Sequence, residues 1–290
     1  ISDFAESYLK GETPIPCVKC NQTVKFIDML NFSKKQGAEA LATGHYIRRE
    51  IINGKPHLYR ANDLSKDQSY FLFATTFEQL TFLRFPLGDF KKSVIRDLAR
   101  HFNLKVAEKP DSQDICFVPE GKYSNLVRKL RPESIEKGDI FHVDGTYLGE
   151  HNGIIDYTIG QRKGIRIGGR KNVSEEDSKL YVISIDEKKN KIYVGPKKYL
   201  SCDEFLINDC NWINKNNKNH LDAFVKLRNT SKPVKVNIEI NKENNTANVK
   251  LQIPEYGISP GQAAVFYNVS DDNHVLGGGW IKSTKNYLSA

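Results

Sequence analysis

The sequence predicts an α/β layer over residues 1–120, a small mixed and mostly β domain over 121–203, and a C-terminal β domain over 204–290. Three observations carry this. AEALATGHY (38–46) is a short, nearly continuous apolar run ending in a polar tip, which suits a buried parallel strand with function at its carboxyl end. After about residue 120 the helical patterns fade, and short strands separated by turn residues take over. The last ninety residues space those strands evenly, as a small barrel or sandwich does.

In chain order, QTVKFIDMLNFSKKQ (22–36) sets Val24, Ile27 and Leu30 at helical intervals, and Gly37 can end that helix. IRREIINGKPHLYRA (47–61) holds Asn53-Gly54 between extended runs, a hairpin signal. QSYFLFATTFEQLTFLRF (68–85) reads as an aromatic-rich buried helix. SVIRDLARHF (93–102) is an amphipathic helix with Val94, Leu98 and Phe102 on one stripe, and LKVAEKP (104–110) is a further strand candidate. SNLVRKL (124–130) closes the helical part. GDIFHVDG and KLYVISIDEKKNKIYVG follow as strands, the second turning near Glu187–Asn190. AFVKLRN, VKVNIEI, TANVKLQI, AAVFYN and VLGGGWI complete the β part. NKNNKN (214–219) is a loop, and no internal repeat is visible.

Composition excludes several classes. With 39% hydrophobic and 27% charged residues the chain can build real cores, so wholesale disorder is excluded. No window approaches 18 consecutive apolar residues, so a membrane-spanning helix is excluded too. The net charge of +8, from 43 Lys and Arg against 35 Asp and Glu, favours a polyanionic partner over a merely solvated lysine-rich surface. Five cysteines in a long chain are too few, and odd in number, for a secreted disulfide scaffold. ISDFAESYLKGE has neither a basic n-region nor an apolar h-region, so a cytoplasmic protein is expected. The chain lacks an initiator Met and opens as though cut from something longer.

Four clusters could carry chemistry. In PIPCVKCNQTVKF (14–26), Cys20 and Asn21 fall at the start of the predicted helix. Unpaired N–H groups and the positive helix end would favour thiolate there, with Lys19 and Lys25 adding charge. Cys17 and Cys20 also have zinc-ligand spacing, but no second C-x-x-C exists, and two buried structural thiols fit the segment as well. In KPDSQDICFVPEGKY (109–123), Asp111, Ser112, Gln113 and Asp114 form a polar turn ahead of Cys116. A cysteine on such an apolar run is usually core. Gly44 and His45 stand at a predicted strand end, where a glycine allows close approach of a nucleotide and a histidine more often serves structure. Lys66, Asp67 and Gln68 can cap a helix or offer polar contacts to phosphate and base. TIGQRKGIRIGG (158–169) is basic and glycine-rich, lacks both nucleotide-loop patterns, and suits phosphate contact. Gln262 in SPGQAAVFY sits in a turn, where it can read a base edge or close the turn.

CNQTVKF, ATGHY, KDQSYFL, DSQDICF, TIGQRKG and SPGQAAVFY occur in this order over nearly the whole chain. Together they closely resemble the tRNA-specific 2-thiouridylase (MnmA) family of the PP-loop ATP pyrophosphatase class. The resemblance implies a partial PP-loop/HUP-type parallel sheet, a mixed β domain and a C-terminal β-barrel. It implies a tRNA-uridine 2-sulfurtransferase acting on the wobble uridine of tRNAs for Lys, Glu and Gln. ATP would adenylate the uracil O2, and a persulfide sulfur from a relay of carrier proteins would replace it. Cys116 would carry the persulfide and Cys20 would be the nucleophile, the two closing an alternate disulfide. Gly44 would lie at the adenylate. His45, Lys66, Asp67, Gln68, Gln262 and, on a looser motif, Arg228 and Asn229 would contact tRNA. Ile15, Pro16 and Cys17 would contact the target base. Mg2+ would accompany ATP, and a monomer without membrane contact is expected.

Two departures stand out. The family's S-G-G-x-D-S-S loop is absent and would belong upstream of Ile1, so these residues alone are not expected to bind ATP well or catalyse alone. Cys17 stands where many members carry Asp, a group that could act as acid or base. The alternatives are a non-catalytic RNA-binding module built on the basic loop and barrel, and a zinc-stabilised structural protein using Cys17 and Cys20.

Overall fold

The computed structural model describes residues 1–109, 115–118, 123–132, 136–168, 174–214 and 218–285. Helix α1 (Ser2–Leu9) sends Phe4, Ala5 and Tyr8 into a core shared with Val127, Ile140 and Val182. The start of the chain therefore packs on the central domain and not on the α/β layer that follows it. Helix α2 (Pro16–Cys20) runs on into a π-helical stretch (Asn21–Met29) and then α3 (Leu30–Lys35). The expected stripe is only one-third right: Leu30 is buried, but Val24 and Ile27 are 50% and 46% exposed. Wider π turns bond i to i+5, and here they turn Asn21 and Phe26 inward in place of the residues that an α-helical period selects.

The apolar run 38–46 yields only β1 (Leu41–Ala42), two residues that are not buried. Next, β2 (Ile47–Ile52) and β3 (Lys55–Arg60) form the expected hairpin, with Asn53 and Gly54 at φ 50° and 74°. Residues 68–85 are not one helix. A single 3₁₀ turn (Ser69–Phe71) precedes α4 (Phe77–Phe82), because Thr76 and Gln79 form a capping box that starts a new helix. The aromatic content is still buried, with Tyr70 and Phe73 in the core. Strand β4 (Leu83–Arg84) pairs with β1 in parallel, Leu41 against Leu83. Helix α5 (Lys92–His101) has no buried residue, and Val94, Leu98 and Phe102 are 42%, 41% and 66% exposed. Residues 105–108 form turns instead of a strand.

The central domain begins with α6 (Tyr123–Leu130). Its sheet comprises β5 (Gly138–His142), β6 (Tyr147–His151), β7 (Tyr181–Asp186) and β8 (Lys191–Gly195) in the order β6-β5-β8-β7. The β7–β8 turn closes at Asn190, φ 52°.

The C-terminal strands are β9 (Ser201–Trp212), β10 (His220–Lys226), β11 (Val234–Asn241), β12 (Thr246–Tyr256), β13 (Ala263–Asn268) and β14 (His274–Thr284). Their order is β13-β10-β11-β12-β9-β14, and β13 pairs again with β14, so the sheet closes into a six-stranded barrel. Along β11, Val236, Ile238 and Ile240 point into the barrel and the residues between them stay exposed, the alternation that pins register. The β2–β3 hairpin extends this sheet through β14, with His274 opposite Tyr59 and Val275 opposite Leu58. Val18 and Phe26 of the cysteine helix share one core with Leu58, Phe73, Val265 and Tyr267. The α/β part and the barrel thus hold the thiol-bearing helix between them.

Candidate active site around the cysteine helix

Pro16 is the first residue of α2 and Ile15 its N-cap. Proline suits that position, because its missing N–H has no partner in a helix anyway and its φ is already helical. The helix therefore starts four residues before the expected start at Cys20. Cys17 lies in the first turn, and Cys20 one turn further in. Although Cys17 as a residue reaches the surface, partial desolvation around its sulfur pushes the thiol up, the neighbouring Cys116 and Cys20 push it further, and Lys25 and its own backbone N–H oppose them. Cys17 is thus a thiol at neutral pH, not the thiolate that a helix start alone would favour. Cys116, from segment 115–118, and Cys20 therefore each lie close enough to act on Cys17. All three sulfurs are free, Cys17 and Cys116 exposed and Cys20 half-buried. Asp111, Ser112, Gln113 and Asp114 lie outside the described residues. Among the described residues no group of three His, Cys, Asp or Glu side chains could hold a metal ion.

Asn21 follows Cys20 and is buried; its Nδ2 donates to the Phe71 carbonyl at 3.0 Å, and its Oδ1 has no partner. Sequence reasoning treated this residue only as a helix start. One turn on, Lys25 Nζ stands 3.5 Å from His45 Nε2. An ammonium can only donate, so Nε2 is the acceptor and Nδ1–H donates to Thr43 Oγ1 at 2.6 Å. Thr43, two residues before His45, was missed because a threonine on an apolar run carries no distinctive signal. Burial, then Lys25, pushes His45 down to about 4, so the ring is neutral.

That shift has a measurable consequence. His57, His274 and His151 are also pushed down, chiefly by burial. Between the ordinary value of 6.5 and the folded value of about 4, the unfolded chain takes up a proton that His45 refuses. Stability therefore falls as pH drops through that window. The melting temperature at about pH 5 is expected to lie below that at about pH 7.5, and His45→Gln to shrink the difference. Melting that rises on acidification would contradict the buried, neutral ring.

The 66–68 segment is stitched to the 44–46 segment. Gln68 N donates to the Tyr46 carbonyl at 2.9 Å, and Tyr46 N donates to Gln68 Oε1 at 2.8 Å. Lys66 is half-buried. Asp67 is buried, and its carboxylate accepts from Ala61 N, Ser69 N, Ser69 Oγ and Arg60 Nε. Ser69 Oγ continues the chain to Tyr267 Oη at 2.8 Å. The Asp67 side chain is therefore turned inward, where it joins the α/β part to the barrel.

The other expected contacts form a second group. Gln262 Nε2 donates to the Thr13 carbonyl at 3.0 Å, and Thr13 N donates to the Pro260 carbonyl at 2.9 Å. Loop 259–262 of the barrel thereby clamps the chain just before Ile15, Pro16 and Cys17. Arg228 is exposed; its Nη2 donates to the Gly257 carbonyl at 2.6 Å. Asn229 is half-buried and its Oδ1 has no partner. Arg228 and Gln262 line a cavity of about 640 Å³ at the meeting of all three domains. The structure brings the sequence-derived residues into two adjacent groups, one around the thiols and one around this cavity, joined by residues 13–17.

An α/β part that carries the thiols, a small four-stranded β domain and a closed six-stranded barrel define the class, which the family matches give as a HUP domain followed by two barrel domains. Residues 1–120 match the tRNA methyl transferase HUP domain, 124–196 the tRNA methyl transferase PRC-barrel domain and 202–281 the Aminomethyltransferase beta-barrel domain. A tRNA-specific 2-thiouridylase MnmA of Sphingopyxis alaskensis is 49% identical over 284 residues, 98% of this chain and 71% of that protein. Another, of Wolbachia pipientis wMel, is 51% identical over 283 residues, 98% of this chain and 73% of that protein. The chain belongs to the tRNA-specific 2-thiouridylase MnmA family.

Proposed function

We propose that this protein is a tRNA sulfurtransferase that makes 2-thiouridine at the wobble position of tRNAs for Lys, Glu and Gln. The observation that carries the chemistry is the gathering of Cys17, Cys20 and Cys116. ATP transfers adenylate to the uracil O2 and releases pyrophosphate, with Mg2+ on the phosphates, turning that oxygen into a leaving group. Cys116 holds the persulfide received from a sulfur-carrier protein. The Cys20 thiolate attacks the inner sulfur, a Cys20–Cys116 disulfide forms, and hydrosulfide leaves to displace AMP at C2. The target base must leave its stack to reach the thiols. Ile15, Pro16 and Cys17 meet that base, and His45, Lys66 and Gln68 meet the tRNA beside it. Arg228, Asn229 and Gln262 meet it at the cavity, while Asp67 holds the segment between Lys66 and Gln68. Among the described residues no helix is long and apolar enough to cross a membrane. The protein acts in the cytoplasm as a monomer.

The test is ATP-dependent conversion of uridine to 2-thiouridine in unmodified tRNA by a full-length version that carries these residues together with an S-G-G-x-D-S-S loop, read by mass spectrometry of the digested nucleosides. Tight tRNA binding without any conversion would favour a binding module instead. Gly44 gives a sharper probe. It is exposed, and an added Cβ would meet only Leu87 Cδ1, at an ordinary 3.6 Å. Folding therefore does not demand glycine here. Gly44→Ala is expected to leave the melting temperature unchanged and to raise KM for ATP by about tenfold, by blocking close approach of the nucleotide. An unchanged KM would remove Gly44 from the adenylate site.

A further inference from the structure

The TIGQRKGIRIG segment (158–168) of the central domain has no part in the reaction described above. It carries three cations, Arg162, Lys163 and Arg166, and no acidic residue. Its backbone is built rather than loose. Gly160 N donates to the Val182 carbonyl at 2.8 Å, and Val182 N donates to the Gln161 carbonyl at 2.9 Å, tying the loop to β7. Gln161 closes the turn with its own side chain, accepting from Thr158 N and donating to the Lys163 carbonyl, both at 3.0 Å. Ile165 is buried in the central core at 4% exposure and pins the middle of the loop. These bonds are satisfied inside the loop, and Arg162, Lys163 and Arg166 remain exposed. Arg166 is also held at φ 60°, a left-handed conformation that non-glycine residues disfavour.

The loop is seated against the barrel. A Cβ on Gly160 would lie 3.7 Å from Gly257 Cα, and one on Gly257 would come within 2.9 Å of Arg228 Nη2. Both glycines have positive φ, 84° and 70°, so this close seam needs them. The cavity at the seam is lined by Thr13, Gly160, Gln161, Arg228, Lys232 and Gln262, among others. From Gln161 the chain passes directly into Arg162 and Lys163. Arg162 and Arg166 line a second groove of the central domain with Ser178 and Lys179, so the loop's exposed cations follow directly in the chain on the residues that line the cavity holding Arg228, Lys232 and Glu255.

We propose that this loop binds the phosphodiester backbone of the tRNA, Arg162, Lys163 and Arg166 extending the RNA surface from the barrel onto the central domain. It rests on the tRNA reading given above. Guanidinium forks and an ammonium on an anchored loop suit phosphate oxygens, and each phosphate neutralised releases counterions. Such contacts position RNA without reading its sequence.

The experiment measures binding of unmodified tRNA to the chain across a salt series. It compares the wild type with R162A/K163A/R166G and with Lys188→Ala, which removes an exposed charge from the β7–β8 turn. Glycine at 166 keeps the left-handed backbone, so the triple variant is expected to melt no lower than the wild type. Its tRNA affinity is expected to fall by about 10- to 100-fold at moderate salt, and the slope of log K against log salt to shrink by about 2. Lys188→Ala is expected to stay within about twofold. Unchanged affinity and slope in the triple variant, with tight binding by the wild type, would overturn this proposal and leave the proposed function standing. Normal tRNA binding with slower sulfur uptake from a carrier protein would assign the loop to a protein surface and overturn it too. A wild type that binds no tRNA would fell both readings.

Discussion

In a full-length version that carries the S-G-G-x-D-S-S loop, Cys116→Ser and Cys20→Ser are each expected to reduce thiolation of tRNA by about 1000-fold or more, because each removes a sulfur that must form or break a bond. Serine keeps the size of the side chain, and neither cysteine is fully buried, so folding should survive. Affinity for tRNA should stay within about threefold, since binding runs mainly through phosphate contacts. Cys17 separates the roles further. Its thiol is pushed up by burial and by its two sulfur neighbours, so little thiolate is present at neutral pH. Cys17→Ser should therefore retain most of the activity that the other two variants lose. Full activity in Cys116→Ser or Cys20→Ser would sink the sulfur relay, and loss of activity only in Cys17→Ser would reassign the nucleophile.

What the sequence made legible follows from which forces are local. The Asn53-Gly54 hairpin and the evenly spaced barrel strands were readable, because turn chemistry and period-two burial are written within a few residues. The inward face of the cysteine helix was not, because the π stretch at Asn21–Met29 changes the period that links sequence to face. Residues 68–85 misled for a related reason: an apolar run looks like a helix until the capping box at Thr76 is noticed. The thiol residues were legible as candidates through spacing and motif, but their meeting depends on packing between segments about a hundred positions apart. Lys25 and Thr43 set the tautomer of His45 through contacts that no one-dimensional pattern marks. Asp67 stood as an RNA contact through the resemblance of the 66–68 segment, with helix capping as the alternative reading; its burial in an inward network through Arg60, Ala61 and Ser69 to Tyr267 of the barrel, 200 residues later, is not written in that segment.

That burial predicts the largest loss of stability. Asp67 lies against Arg60 and near Lys226, so one carboxylate answers two buried cations. Lys226 is already pushed down by burial, and Asp67 is the group that raises it again. Asp67→Asn keeps the shape but leaves Arg60 with only a distant ion pair to Asp272, at 3.9 Å, and the ring of Tyr267. Breaking a buried pair from one side costs about 3–5 kcal/mol. At about 2–4 °C per kcal/mol, the melting temperature is expected to fall by roughly 10 °C. Lys66→Ala is expected to do the reverse, because a half-exposed ammonium contributes about 0–1 kcal/mol to folding. It should leave melting nearly unchanged and weaken tRNA binding several-fold. Calorimetry and tRNA binding on the two variants, both measured well below their melting temperatures, separate the roles. An Asp67→Asn protein that melts normally but fails to bind tRNA would show that the carboxylate faces RNA, and the inward network would then not be what holds the 66–68 segment in place.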